Sequence, residues 1–346
     1  MKKKLIVYFI IVSVVLLSIT AVFGFYFLEK FSHTQIRVNE SNQLFELKRG
    51  TSITGFVKQI EQASLVDDAY LIPYLMKIKP SLHGIKSGTY QLSSAMTVET
   101  FLQLLVSGKE VQFQIKFVEG KPAKDWLVTL ASTADLEYKL TGLPLTQIAQ
   151  MLGIDGSLEG WLYPDTYSYI KNDSDLAILK RAYQKMQTAL QSVWDNRDEG
   201  LPYKTPYELL IMASIIEKET GLDNERAKVA SVFINRLKYN MLLQTDPTVI
   251  YGMGDNYNGR LFTKNLRDKN NPFNTYVISG LPPTPIAMPS LASLEAAAHP
   301  EQTNYLYFVA NGDGGHTFTT NYDNHKQAVD KYRQFIRKRG TNNVAK

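Results

Sequence analysis

A chain of 346 residues with 44% hydrophobic and 21% charged side chains is too long for one ordinary core and too apolar to be disordered. It has no cysteine, which excludes a disulfide framework, a thiol nucleophile and any thiolate metal site. The net charge of +5 comes without a basic stripe of interleaved aromatics, so nucleic acid is not expected as a partner, whereas an anionic lipid or cell-wall polymer is.

Lys2, Lys3 and Lys4 precede an uncharged apolar run from Leu5 to Leu28, which Glu29 and Lys30 close. As a helix this run extends roughly 36 Å, enough to cross a bilayer with some tilt. A cleaved signal peptide would have a shorter apolar region ending in a small-x-small site, and Thr20-Ala21-Val22-Phe23-Gly24 is a poor one. The expectation is an uncleaved anchor with residues 1–4 in the cytoplasm, residues 5–28 in the membrane and everything beyond outside the cytoplasm.

Residues 29–41 read as a stalk. Between residues 42 and 110, a short alternating strand at Leu44–Leu47 is followed by a helix carrying Phe56, Ile60 and Leu65. A second helix holds Ala69, Ile72, Leu75 and Met76; a strand at 88–92 and a helix with Val98, Phe101, Leu102 and Leu105 complete the region. Thr97 is the N-cap of that last helix, with Thr100 where a capping-box Glu would sit. Residues 111–346 form a larger region. It opens with an alternating strand at Val111–Val118, and helical segments over 123–155 are broken by Gly142 and Pro144. A long amphipathic helix begins near Asp173, Ser174 or Asp175 and two more span roughly 206–220 and 224–239. Residues 241–302 look loop-rich, with six prolines between Pro272 and Pro300; a strand at 305–310, a Gly-rich turn and a final helix from about Asp323 follow. This mixed order argues for an α+β class over a doubly wound sheet.

The most informative segment is Leu209–Thr220. Eight residues with one hydroxyl among them describe a helix apolar all round and therefore buried, and it ends in Glu217-Lys218-Glu219. Glu217 continues the stripe of Leu210, Ala213 and Ser214, whereas Glu219 lies about 200° away, so helix geometry alone does not bring both acids to one cleft. Small Ala213 and Ser214 leave room beside Glu217, and Ile215 and Ile216 lower the local polarity, conditions that keep a glutamic acid protonated near neutral pH as a general acid requires. An isolated Glu at a helix end is ordinarily a solvated terminus or an ion-pair partner, here of Lys218 or Arg226.

The surrounding motifs change that balance. Glu159-Gly160-Trp161-Leu162-Tyr163-Pro164-Asp165-Thr166-Tyr167, Ala213–Thr220, Asn235-Arg236-Leu237 and Leu243–Val249 are followed by Asn274-Thr275-Tyr276, Gly280–Ile286 and Gly315-His316-Thr317-Phe318. Together these motifs resemble, in order and spread, the YceG-like endolytic murein transglycosylases. The resemblance covers nearly the whole chain after the anchor. It implies a membrane-anchored enzyme with a small LysM-like domain at 42–110 and a catalytic domain at 111–346. The implied reaction is cleavage of the β-1,4 bond between N-acetylmuramic acid and N-acetylglucosamine in nascent strands, giving 1,6-anhydromuramoyl ends and terminating elongation beside the synthases. It implies no cofactor and no metal. Glu217 would protonate the leaving oxygen and then accept the proton of the muramoyl 6-hydroxyl, whose tethering removes the need for a second carboxylate.

Glu219 could brace that site. Gln244 and Asp246 could touch or support substrate, although Asp246 before Pro247 also suits an Asx-turn. Asn274 and Tyr276 could hydrogen-bond to and stack on sugar, and His316 could bind sugar, orient a carboxylate or be an ordinary turn residue. No His-Glu-x-x-His pattern supports zinc, no Gly-x-Ser-x-Gly elbow surrounds Ser214, and Gly312–Gly315 lacks the Lys-Ser/Thr of a phosphate loop. The competing readings are a non-catalytic wall-binding scaffold and a muramidase-type hydrolase.

Overall fold

The computed structural model describes residues 2–342, in two compact units. The first comprises residues up to 113 together with 168–171; the second comprises 114–167 and 172 onwards.

The first unit begins with α1 (Lys2–Ser32), whose stretch from Lys3 is long and apolar enough to cross a membrane. The unit continues through β1 (Leu44–Leu47), α2 (Ile53–Gln62), α3 (Ile72–Ile78), β2 (Gly88–Gln91) and α4 (Val98–Ser107). β1 and β2 pair antiparallel with Phe45 opposite Tyr90. Their inward side chains meet Phe56, Ile60, Leu75, Phe101 and Leu102 in one core, with Phe45 edge-on to Phe101 at 5.4 Å between ring centres. Local chemistry sets the helix ends. Ser52 accepts from the Gly55 amide, and the Thr97–Thr100 box is complete in both directions because a threonine hydroxyl reaches the N-cap amide as a glutamate would. Gly108, at φ 70°, closes α4 in the left-handed conformation.

The stretch expected to be a stalk is part of this core. Phe31 and Ile36 are buried, and the amides of Ile36 and Arg37 donate to the carbonyls of Met96 and Leu65. Two apolar residues spaced among polar ones were enough to draw the segment down, since each buried side chain of this size contributes about 1.5–3 kcal/mol.

The second unit contains β3 (Phe113–Lys116, entering it at Gln114), α5 (Ala123–Ala131), α6 (Leu145–Leu152) and β4 (Thr166–Tyr169, leaving it after Tyr167), with β3 and β4 paired. After α7 (Asp175–Asp195), capped by Ser174, come α8 (Pro206–Glu219) and α9 (Asp223–Lys238). Residues 241–302 are more ordered than their prolines suggest, holding α10 (Asp246–Met253), α11 (Thr263–Leu266) and α12 (Leu291–Ala298). Proline favours the start of α10, where Pro247 needs no amide partner. β5 (Tyr307–Ala310) and β6 (His316–Thr319) form an antiparallel hairpin before α13 (Tyr322–Asn342). β6 went unread in the sequence because four residues beside a Gly-rich turn carry too little alternation. The core is built around α8, whose residues Leu209–Ile216 are all buried against α7, α9 and α12. The class is α+β.

Candidate active site

Pro206 at the first turn and Thr205, accepting from the Glu208 amide, start α8, and Thr220 in extended conformation stops it. Its buried middle does more than pack. Ser214 donates to the Ile211 carbonyl and accepts from the Ile286 amide at 3.0 Å, fastening the Pro-rich loop to the helix.

The two acids at the end of α8 have different surroundings. Glu217 turns to the start of α12: its Oε2 accepts from the Ser290 amide (2.9 Å), the Ser290 hydroxyl (2.5 Å) and the Ser293 hydroxyl (2.7 Å). The apolar pocket expected for it is replaced by three donors at a helix N-terminus, where a carboxylate is at home. Lys218 donates to the Gly120 carbonyl. Glu219, half-buried, opens on a cavity of about 430 Å³ and accepts from the Thr245 hydroxyl. Burial pushes its carboxyl up to about 7. The Thr245 bond and the charge of His316 oppose that rise, and Asp246 adds to it.

Gln244 and Asp246 line the same cavity, as does Tyr276. Gln244 has φ 51°, a left-handed conformation that asparagine and glycine adopt more easily. Its amide donates to Thr275 and its Oε1 accepts from Arg236, which also donates to the carbonyls of Leu242, Leu243 and Leu306. Asp246 accepts from the Tyr276 hydroxyl at 2.6 Å, and burial raises that phenol's pKa. Thr275 supports the loop from beneath, accepting from the Thr245 amide and sharing a hydrogen bond with Thr248.

Glu217, Asn274 and His316 do not line this cavity. Asn274 is fully buried and donates to three carbonyls, of Asn265, Leu266 and Asp268, while accepting from the Tyr276 amide, so it braces the loop that presents Tyr276. His316 is paired with Glu225, whose carboxylate takes both its ring Nδ1–H (2.7 Å) and its amide (2.9 Å). Burial opposes ionisation of Glu225, but those bonds outweigh it and hold its pKa low.

Sequence reasoning missed Thr245 and Arg236 as site-builders, although both stand inside the quoted motifs. A buried arginine on an otherwise apolar helix face was the available signal. It also missed Glu159, which is 3% exposed, accepts from the Ala123 amide and the Tyr251 hydroxyl, and is pushed up to about 7 by burial. A cluster of two carboxylates and an imidazole of the kind metals use, Glu29, Glu99 and His33, lies in the first unit, but the Lys79 ammonium already pairs with both acids.

A raised carboxyl, a second acid held by a phenol and an amide side chain around one cavity are groups that acid–base work on a polar substrate can use. The YceG-like family model matches residues 45–331, and the chain belongs to the YceG-like family. It is 32% identical over 327 residues to the endolytic murein transglycosylase of Bacillus subtilis, covering 88% of this chain and 86% of that protein. It is 26% identical over 324 residues to the enzyme of that name from Streptococcus pneumoniae, covering 83% of this chain and 57% of the longer relative. A crystal structure of a yceG-like protein from Listeria monocytogenes superposes with a TM-score of 0.52 at 28% identity, over 82% of this chain and 98% of that one.

Proposed function

We propose that this chain is an endolytic murein transglycosylase in which Glu219 is the acid, a role the sequence pattern assigned to Glu217. The observation that carries the assignment is a carboxyl raised to about 7 that opens on a cavity shared with Asp246, Gln244 and Tyr276. Protonated Glu219 gives its proton to the glycosidic oxygen as the bond to muramoyl C1 breaks. The resulting carboxylate takes the proton of the muramoyl 6-hydroxyl while that oxygen closes on C1, leaving a 1,6-anhydro end. No water and no cofactor enter the balance, and the tethered hydroxyl supplies the effective concentration a second substrate would lack. Asp246, fixed by Tyr276, disfavours ionisation of Glu219 and so keeps the proton available.

A hydrolase reading has one observation in its favour: Asp246 is a second carboxylate in the same cavity, as water-dependent glycosidases require. Mass spectrometry of glycan strands digested by the full-length protein separates the two. Anhydromuramoyl ends, lighter by one water, are expected; reducing ends would refute the transglycosylase reading in favour of a hydrolase. A scaffold would release neither.

In this reading α1 is an uncleaved inner-membrane anchor with a cytoplasmic amino terminus and the rest of the chain outside. Support comes from its length, the three lysines before it and the packing of Phe31 into the first unit's core. The strand–helix–helix–strand order of the first unit, with the strands paired, supports a LysM-like glycan-binding module. The reading puts the enzyme on nascent strands beside the synthases. A reporter fused after Lys346 that is active in the cytoplasm would overturn the topology.

A further inference from the structure

The cavity that holds Glu219 is also lined by aromatic rings that the chemistry above leaves unused. Besides the polar groups Glu219, Asp246 and Gln244, its lining includes Tyr307, Tyr322 and His325. Tyr307 and His325 are stacked, 5.1 Å between ring centres at 22°, and Tyr322 stands 6.0 Å from Tyr307 and 6.4 Å from His325. The three rings come from β5 and the first turn of α13, so a rigid hairpin and a helix set their positions. Arg236 cannot serve as a free ligand for substrate anions in this arrangement. Four hydrogen bonds employ its guanidinium, which lies 5.0 Å over the Tyr307 ring and orients it.

Two features mark these rings as more than core. Tyr322 is 59% exposed, although it is a large aromatic at the edge of a cavity. His325 lines the cavity with a buried Nδ1 that has no hydrogen-bond partner among the described residues. Burial and the nearby Arg236 charge lower its pKa, so the ring is neutral at physiological pH. A neutral imidazole stacked on a phenol offers a broad face without the repulsion an imidazolium would meet beside Arg236. Lys326, on the same helix, lies 5.7 Å from the Tyr322 ring centre, and a bound ring would displace that flexible ammonium.

A pyranose has C–H groups on its flat faces and hydroxyl and acetamido groups on its rim. It therefore fits a cavity lined by both rings and acid and amide groups, within the volume range of small-ligand sites. We propose that Tyr307, Tyr322 and His325 form a stacking platform that seats an N-acetylhexosamine ring of the strand next to the bond being cut. This rests on the transglycosylase reading for its substrate, and the platform is a binding element rather than part of the proton transfer.

The test uses the full-length protein in detergent, with purified uncross-linked glycan strands and an N-acetylglucosamine tetramer as probes. Tyr322→Ala, at an exposed position, is expected to weaken binding of both probes about three- to tenfold, the effect of losing one ring contact. In cleavage, KM should rise by the same factor with kcat within about twofold. His325→Phe, which keeps a flat ring, should hold binding near wild type, and His325→Leu should lose it. If Tyr322→Ala and His325→Leu lower the melting temperature but leave both dissociation constants unchanged, the rings are packing only and the inference is wrong. If the wild type binds strands through these rings yet releases hydrolysed ends, the platform stands and the transglycosylase reading falls.

Discussion

The two acids that end α8 are two residues apart, and their substitution by glutamine should separate chemistry from architecture. Glu219→Gln keeps the volume and can still accept from Thr245, but it cannot donate a proton and take one back. A positioned general acid is worth about 10²–10⁴-fold, and here one group serves both proton transfers, so a loss of at least about 10³-fold in kcat is expected. Folding should be unharmed, because the amide resembles the protonated carboxyl that burial already favours. Glu217→Gln should show the reverse. Its Oε2 accepts from one amide and two hydroxyls at the start of α12, and an amide oxygen retains these bonds but not their charge assistance. A loss of about 1–2 kcal/mol in stability follows, with kcat reduced less than about tenfold. Anhydro-end release by mass spectrometry and thermal melting, run side by side on both variants, give the comparison. An inactive Glu217→Gln with an unchanged melting temperature, beside an active Glu219→Gln, would refute the assignment of the cavity's acid.

Glu159 offers a pH signature. Its carboxyl is raised from 4.5 to about 7 by burial, so the folded state binds the proton more tightly than the unfolded chain. The stability this contributes is complete below about pH 4.5 and is lost as pH rises through 7, at up to about 3 kcal/mol. Glu159→Gln should therefore flatten the melting temperature between pH 5 and 8, and a profile as steep as wild type would contradict the burial argument. Asn274→Ala removes three donated bonds and one accepted bond from a fully buried site and should cost about 2–4 kcal/mol by denaturant melting; wild-type stability with weakened sugar binding would instead make it a substrate contact. Gly160→Ala meets two obstacles, a φ of 82° and a Cβ that would stand 2.5 Å from Pro285, so a melting temperature several degrees lower is expected, and an unchanged one would mean the Pro-rich loop yields easily.

What the sequence determined by itself was local and periodic. The apolar run before Glu29, the all-round apolar faces of α8 and the cap at Thr97 are written within a few residues of where they act. The order of the motifs was enough to mark the family. The 200° between Glu217 and Glu219 was also legible, because it is a property of one helix. Which of those two directions faces a cavity was not, since the answer lies in segments far along the chain. Ser290 and Ser293, some seventy residues away, receive Glu217, and the 244–246 loop, held by Arg236 and Thr275, closes over Glu219. Asn274 had a substrate-contact pattern in sequence and became a brace because three carbonyls converge on it only in the folded loop. The expected stalk was folded into a core by two side chains whose burial outweighs the polarity of their neighbours. Tertiary structure decides such matters because burial and hydrogen-bond satisfaction are sums over neighbours in space, and sequence spacing reports only those neighbours one helical turn or one strand step away.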